Sequence, residues 1–300
     1  MAQRRPLSEV NPSDSIFPET LGQAKSSQRL LGRKILIVGA GQRNTVDENM
    51  PVGNGRAMSI LFAREGASVV CLDSNQAATE ATVAQIKREG GQALPLIFDV
   101  RNADSIAAAV DNAKNMLGGQ LDGLALVVGI SKGLALSKLT KEAWDDDFAV
   151  NLRSHMLFSQ RALEVMSPGG SIVVLSSMAS QRAAGGNPAY ESSKAAQLAL
   201  VRAVARAGET KGIRANAIAP GYVDTPMGRD ASRRSSNRAQ VVPFGRQATG
   251  WEVGYSALFL ISREASYVNA TTIFMDGGGT SGLVGRKREE RGIVNSGAKL

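Results

Sequence analysis

The chain has 300 residues, 43 % hydrophobic and 21 % charged, which excludes a disordered, collagenous or coiled-coil chain as the main state. A single cysteine, Cys71, and a single histidine, His155, exclude a disulfide framework and His-rich zinc chemistry, and set a Ser-His-Asp triad aside. The net charge of +8 sits mostly at the ends: +3 over residues 1–34, +3 over 286–300 and only +2 in the body between. A basic folded face for nucleic acid would put the excess in the body, so no nucleic-acid partner is expected. The apolar runs, 35–38 and 124–128 among them, are of strand length and far below the ~20 residues of a membrane span. No signal-like apolar stretch opens the chain, and the cysteine usage fits a reducing compartment, so the expected location is the cytoplasm.

In chain order, residues 1–30 are rich in Ser, Pro, Gln and charge without a period and read as a flexible arm. The patterning then predicts a strand over 34–38, a helix over 55–65 closed by Gly66, and a strand over 68–72. A helix over 77–89 stops at Gly90 and Gly91; a strand over 94–98, a helix over 105–117 and a strand over 124–128 follow. One long helix is predicted over 142–166, then a strand over 171–175, a helix over 192–209 and a strand over 214–218. A helix over 251–261, a strand over 272–274 and a basic tail over 281–300 complete the chain. The strand runs are apolar throughout rather than alternating, so both faces of the sheet are buried. Strands alternating with helices imply one α/β domain over 31–280, a doubly wound parallel sheet of about seven strands with helices on both faces.

The first strand runs into Gly39-Ala40-Gly41, and the first helix opens at Gly53-Asn54-Gly55. Glycines between a strand and a helix turn the chain sharply and let backbone approach a pyrophosphate at the helix N-terminus. Asp73, after the second strand, can accept bonds from ribose hydroxyls and would repel a 2′-phosphate, which favours NAD over NADP. It is also a good helix N-cap. Asp99 and Val100 close the third strand, where an adenine edge would lie.

Tyr190 and Lys194 are four apart in a helical stretch and so share one face. A nearby ammonium favours the phenolate, and a Tyr so tuned serves as a general base toward an alcohol. Ser177 lies thirteen residues before Tyr190, at the end of a buried strand. With these residues in place, the body over about 32–280 resembles the short-chain dehydrogenase/reductase family. The resemblance implies a Rossmann-like fold and a tetrad of Asn151, Ser177, Tyr190 and Lys194. In it Ser177 orients substrate, Tyr190 is the acid/base, Lys194 holds the nicotinamide ribose, and Asn151 holds a relay water. Pro220-Gly221-Tyr222-Val223-Asp224-Thr225-Pro226-Met227 resembles the segment that meets the nicotinamide carboxamide, through Val223 and Thr225. Val127 and Gly129 are expected to line the cofactor's path, and Met275-Asp276-Gly277-Gly278 resembles the family's closing strand. The implied activity is NAD-dependent oxidoreduction of a secondary alcohol or ketone, without a metal, by a homotetramer or homodimer. An NADPH-dependent 3-oxoacyl-type reductase and a non-catalytic dinucleotide sensor are the competing readings.

Two departures from the family pattern stand out. Thirteen residues separate Gly39 from Gly53 where the family has three, an insertion over about 43–52 that carries Asp47 and Glu48. Leu126-Val127-Val128-Gly129 replaces Asn-Asn-Ala-Gly, so the bracing bonds of the lost amides must be made otherwise or not at all. The segment 228–246 is expected to be a lid. Arg229, Arg233, Arg234, Arg238 and Arg246 against Asp230 give it a charge of +4, which suits an anionic substrate. His155 reads as a packed or interface residue and Cys71 as inert.

Overall fold

The computed structural model describes residues 17–42, 50–234 and 241–283, without the side chains of 232–234. Strand β1 (Lys34–Val38) leads to α1 (Asn54–Arg64), β2 (Ser68–Asp73), α2 (Gln76–Arg88), β3 (Gln92–Ile97), α3 (Ile106–Met116) and β4 (Gly123–Leu126). Then come α4 (Lys141–Phe148), α5 (Ser154–Val165), β5 (Ser171–Leu175), α6 (Pro188–Gly208) and β6 (Arg214–Pro220). A two-residue strand β7 (Val223–Asp224), α7 (Pro226–Arg234), β8 (Ala248–Thr249), α8 (Gly250–Ile261) and β9 (Thr272–Met275) close the described chain.

Seven strands form one parallel sheet in the order β3-β2-β1-β4-β5-β6-β9, and β7 pairs with β8 beside it. Alternate residues of β1 feed opposite cores. Ile35 and Ile37 pack with Met58 and Phe62 of α1, Ile86 of α2, and Leu258 and Ile261 of α8. Leu36 and Val38 pack with Ile106 and Val110 of α3, Phe158 of α5, and Val201 and Val204 of α6. This is the doubly wound, Rossmann-like sheet expected from the run pattern. The order reverses between β1 and β4, and the crevice beyond their carboxyl ends is where such sheets take ligands.

Two elements differ from the sequence expectation for physical reasons. The helix predicted over 142–166 is split by a π-helical turn, Ala149–Arg153. The buried stripe continues through Phe158 and Ala162, so apolar spacing does not betray the extra residue. The arm expected to be flexible is tied down over 17–30. The carboxylate of Glu65, 1 % exposed, accepts from the Ser27 and Arg29 amides and the Arg29 guanidinium. Arg64 donates to the Gly22 carbonyl, and Thr249 Oγ1 to the Thr20 carbonyl. The Arg64 guanidinium lies 5.1 Å from the centre of the Trp251 ring. Polar and cation–π contacts hold this strap, so no hydrophobic period announces it. Residues 1–16, 43–49, 235–240 and 284–300, and with them most of the insertion, Arg238 and the basic tail, lie outside the described residues. Among the described residues no helix is long and apolar enough to cross a membrane.

Candidate active site

The loop after β1 is built for close backbone approach. Gly39 has φ +92°, and a Cβ there would meet the Val128 amide nitrogen at 2.6 Å. A Cβ on Gly55 would lie 1.8 Å from the Gly39 carbonyl oxygen. Only glycine lets the start of α1 sit against the end of β1. Gly53 precedes α1 as its N-cap and offers no side-chain cap, and the first turn carries no acidic residue. The free amides of that turn are therefore left for an anion. Asn54 Oδ1 is buried there without a partner. The Gly53 amide donates to Gln42 Oε1 at 2.8 Å, so Gln42 joins the two ends of the insertion at its base.

Asp73 closes β2 with both oxygens held: Oδ2 accepts from the Gly41 amide at 2.9 Å and Oδ1 from the Asn75 amide at 3.1 Å. The α2 cap is Asn75, whose side chain accepts from the Ala78 amide, so the capping role open to Asp73 falls to its neighbour. Asp99 is exposed and pairs with Arg101 at 3.5 Å, while Val100 is buried.

The residues of the expected tetrad come together at the ends of β4 and β5. Asn151 lies on the π turn. Its Oδ1 accepts from the Ile130 amide at 2.8 Å, and its Nδ2 donates to the Ile130 carbonyl and Ser193 Oγ, both at 3.0 Å. Both amide hydrogens are thus committed, and the second lone pair of Oδ1 is what remains for a water. Gln197 Nε2 donates to the Asn151 carbonyl at 2.5 Å. Lys194 Nζ is buried and donates to the Leu175 carbonyl at 2.8 Å, and it stands 5.7 Å from the centre of the Tyr190 ring. Ser176 Oγ donates to the Lys194 carbonyl, fastening α6 to the end of β5. The next residue, Ser177, opens a short 3-10 turn, where its Oγ accepts from the Ala179 amide at 3.2 Å. A Cβ on Gly129 would lie 3.3 Å from Lys194 Nζ and 3.4 Å from Asn151 Oδ1, so the lysine, the asparagine and the Gly129 backbone converge on one spot. Val127, next to it, is half-buried and packs on the core.

Burial brings the Lys194 ammonium down to about 7, and only the Asp147 carboxylate pulls it back up. Burial also brings His155 down to about 3. Its Nε2 lies 3.0 Å from the Val128 carbonyl and its Nδ1 3.0 Å from Gln197 Nε2, which suits a neutral ring donating from Nε2 and accepting at Nδ1. These bonds answer the departure after β4. Val127 and Val128 amides reach the Val38 carbonyl, His155 holds Val128 and Asn151 holds Ile130, in place of the absent side-chain amides. The unfolded chain protonates His155 below about 6.5, whereas the folded chain does so only near 3. Stability is therefore expected to fall as the pH drops through that window, with the single-proton limit of about 1.4 kcal/mol per unit as the steepest slope. Denaturant titrations at stepped pH should show this fall in the wild type and a flatter one in His155→Gln.

The segment after β6 places Pro220 at the strand end. Gly221, whose Cβ would meet Asp276 Cα at 2.8 Å, donates to the Met275 carbonyl. Val223 and Thr225 are both 7 % exposed, and Thr225 Oγ1 accepts from the Gly228 amide at the start of α7. The arginines of 228–246 are less free than their number suggests. Arg229 makes two bonds to the Asp224 carboxylate, at 2.9 and 3.1 Å, and Arg246 two to Glu252. Arg233 and Arg234 end α7, and their side chains, like Arg238, lie outside the described residues. Sequence reasoning missed Gln42, Asp147 and Gln197. None belongs to a short motif, and only the fold brings each to its partner.

The glycine-lined loop, the presented Asp73 carboxylate and the lane between Gly129 and Lys194 fit a dinucleotide lying across the switch point. The family profile described as "Enoyl-(Acyl carrier protein) reductase" matches residues 52–280. The chain is 31 % identical to a 3-oxoacyl-[acyl-carrier-protein] reductase of Thermotoga maritima, over 83 % of this chain and 98 % of that protein. It is 36 % identical to a cyclopentanol dehydrogenase of Comamonas testosteroni, over 77 % and 94 %. Among solved structures, a short-chain dehydrogenase/reductase from Burkholderia xenovorans superposes with TM-score 0.78 at 30 % identity, covering 84 % of this chain and 98 % of that one. One from Serratia marcescens does so with TM-score 0.77 at 28 % identity, covering 84 % and 99 %. The chain belongs to the short-chain dehydrogenase/reductase family, oxidoreductases that bind a nicotinamide cofactor.

Proposed function

We propose that the protein is an NAD-dependent alcohol dehydrogenase or ketone reductase whose acid/base group is Tyr190. The observation that carries this reading is the convergence of Lys194 Nζ and Asn151 Oδ1 beside Gly129, at the sheet's switch point and next to the strand end that bears Ser177. Bound in the lane, the nicotinamide supplies or accepts the hydride. The chain's own residues do the rest. Ser177 Oγ holds the substrate oxygen, and Tyr190 Oη takes its proton in oxidation and returns it in reduction. Lys194, with its buried charge, stabilises the phenolate and holds the ribose hydroxyls. The remaining lone pair of Asn151 Oδ1 holds the water through which the proton leaves. Val223 and Thr225 would hold the carboxamide. Gly41, Gly53, Asn54 and Gly55 would line the pyrophosphate, and Val100 the adenine.

Asp73 selects the cofactor. Its carboxylate is fixed by two amides, so it can receive ribose hydroxyls without reorganising, and it would stand against a 2′-phosphate. Asp73→Ser removes that repulsion. Its ratio of NADPH to NADH affinity is expected to rise at least ~10-fold, since like charges in contact cost several kcal/mol. Paired binding isotherms check this; an unchanged ratio would reject Asp73 as selector. The cyclopentanol dehydrogenase relative supports a small secondary alcohol as substrate. The 3-oxoacyl reductase relative keeps an acyl-carrier substrate as the second reading. Against it, two of the five lid arginines are already neutralised by carboxylates. A screen of cyclic and linear secondary alcohols with NAD, beside a 3-oxoacyl thioester with NADPH, separates the two. We also place the protein as a homo-oligomer, on the family resemblance of α5 and α6.

A further inference from the structure

Asp147 has no place in the roles assigned above, yet its side chain is fully buried on α4, one turn before Asn151. No side chain donates to either carboxylate oxygen, and the nearest donor is the Lys132 backbone amide, short of a well-formed hydrogen bond. A carboxylate buried with so little bonding is costly, and burial raises its pKa. The surrounding charges are few. Lys132, on the loop after β4, turns its backbone amide toward the carboxylate, but its ammonium is bound to the neighbouring Asp146 at 2.7 Å. Asp146 is shared with Arg101 as well and stays ionised. On α5, His155 is neutral down to about 3. From α6 come Lys194 and, one turn earlier on that helix, Tyr190. α4 packs on α6, and Asn151, one turn after Asp147, meets Lys194 Nζ beside Gly129, so among the described residues Lys194 is the one buried cation near Asp147 that no other carboxylate neutralises. The two do not touch as an ion pair; the ammonium's bond goes to the Leu175 carbonyl, and the carboxylate acts through the low-dielectric interior.

We propose that Asp147 is the buried counter-charge of Lys194, a positioning residue that keeps the ammonium charged where Tyr190 and the cofactor ribose need it. The inference rests on the proposed roles of Tyr190 and Lys194. Without a negative charge behind it, a desolvated lysine gives up its proton more readily. The proton then passes to Tyr190 instead, and the competent pairing of phenolate with ammonium becomes scarce. Removing the charge should therefore lower the Lys194 titration midpoint. It should also move the rising limb of the alcohol-oxidation pH profile to higher pH, with the KM for alcohol little changed.

Two variants test this, Asp147→Asn and Asp147→Leu, with Asp147→Glu as the rescue. The first readout needs no turnover: NMR titration of the lysine side chains in the cofactor-free protein, with Lys194 assigned from Lys194→Arg. The Lys194 midpoint is expected to fall by roughly one unit in both neutral variants and to return in Asp147→Glu. The second is kcat for alcohol oxidation against pH, expected to drop about 3- to 10-fold at pH 7 in the neutral variants. Asp147→Leu replaces an unsatisfied charge with an apolar side chain and should melt no lower than wild type, so it remains readable if Asp147→Asn misfolds. Wild-type Lys194 and pH profiles in a folded neutral variant would overturn the proposal. A shifted Lys194 midpoint in a protein that turns over no alcohol or ketone would keep the counter-charge and reject the enzymatic reading instead.

Discussion

Tyr190→Phe is expected to lower kcat by at least ~10³-fold while leaving the dissociation constant for NADH within about twofold of wild type. The change removes one oxygen from α6 and leaves the ring, which stands 5.7 Å from Lys194 Nζ, in place. Lys194 keeps its bond to the Leu175 carbonyl, and Asn151 keeps its bonds to Ile130 and Ser193, so the ribose lane survives. What is lost is the oxygen that the proposed mechanism uses to exchange a proton with the substrate. Steady-state kinetics with the best alcohol, beside a fluorescence isotherm for NADH, separates the two quantities. A variant that retained a tenth of the wild-type kcat would move the acid/base role away from Tyr190.

Gly55→Ala should be the most damaging single methyl group in the cofactor loop. Its Cβ would lie 1.8 Å from the Gly39 carbonyl oxygen and 2.8 Å from the carbonyl carbon, both backbone atoms that no rotamer change can move aside. Either α1 or the end of β1 must shift. Overpacking of this kind costs about 3 kcal/mol, or roughly 5–10 °C in Tm for a domain of this size. The shift also misplaces the free amides at the start of α1, so NADH affinity should fall by more than ~10-fold. Gly53→Ala is the control. There the nearest atoms to the new Cβ are those of Gln42, at 3.8 Å, so the fold has room and Tm should stay at the wild-type value. Any effect at Gly53 then reports on the ligand alone. Thermal melts and NADH isotherms on both variants check the contrast; equal melting temperatures would contradict the packing argument.

The sheet was legible because its strands are short, apolar and bounded by glycine or helix signals. β1 and β5 lie where the runs 34–38 and 171–175 place them. The edge strand was less so: β3 starts two residues before the apolar run, because Gln92 at a sheet edge pairs through its backbone and needs no apolar side chain. Tyr190, Lys194 and Ser177 were legible because a helical spacing and a strand end place them without knowledge of the fold. Asn151 could be named only by resemblance. Its π turn arises from bonds to Ile130, Ser193 and Gln197, which are twenty-one to forty-six residues away. The same holds for Asp147, whose neighbours are helices apart, and for the strap over 17–30, whose anchors Glu65, Arg64 and Thr249 carry no periodic signal. Arg229 shows the converse error. Counting charges along 228–246 cannot reveal that Asp224, outside that window, is its partner.

The glycine loop, though interrupted by its insertion, is expected to form an NAD site beside a working tetrad. Titration of the purified protein with NADH and with NADPH, followed by nicotinamide fluorescence, tests it most directly. Saturable NADH binding is expected, with NADPH at least ~10-fold weaker because of the fixed carboxylate of Asp73. Binding of neither nucleotide, or a preference for NADPH, would contradict it.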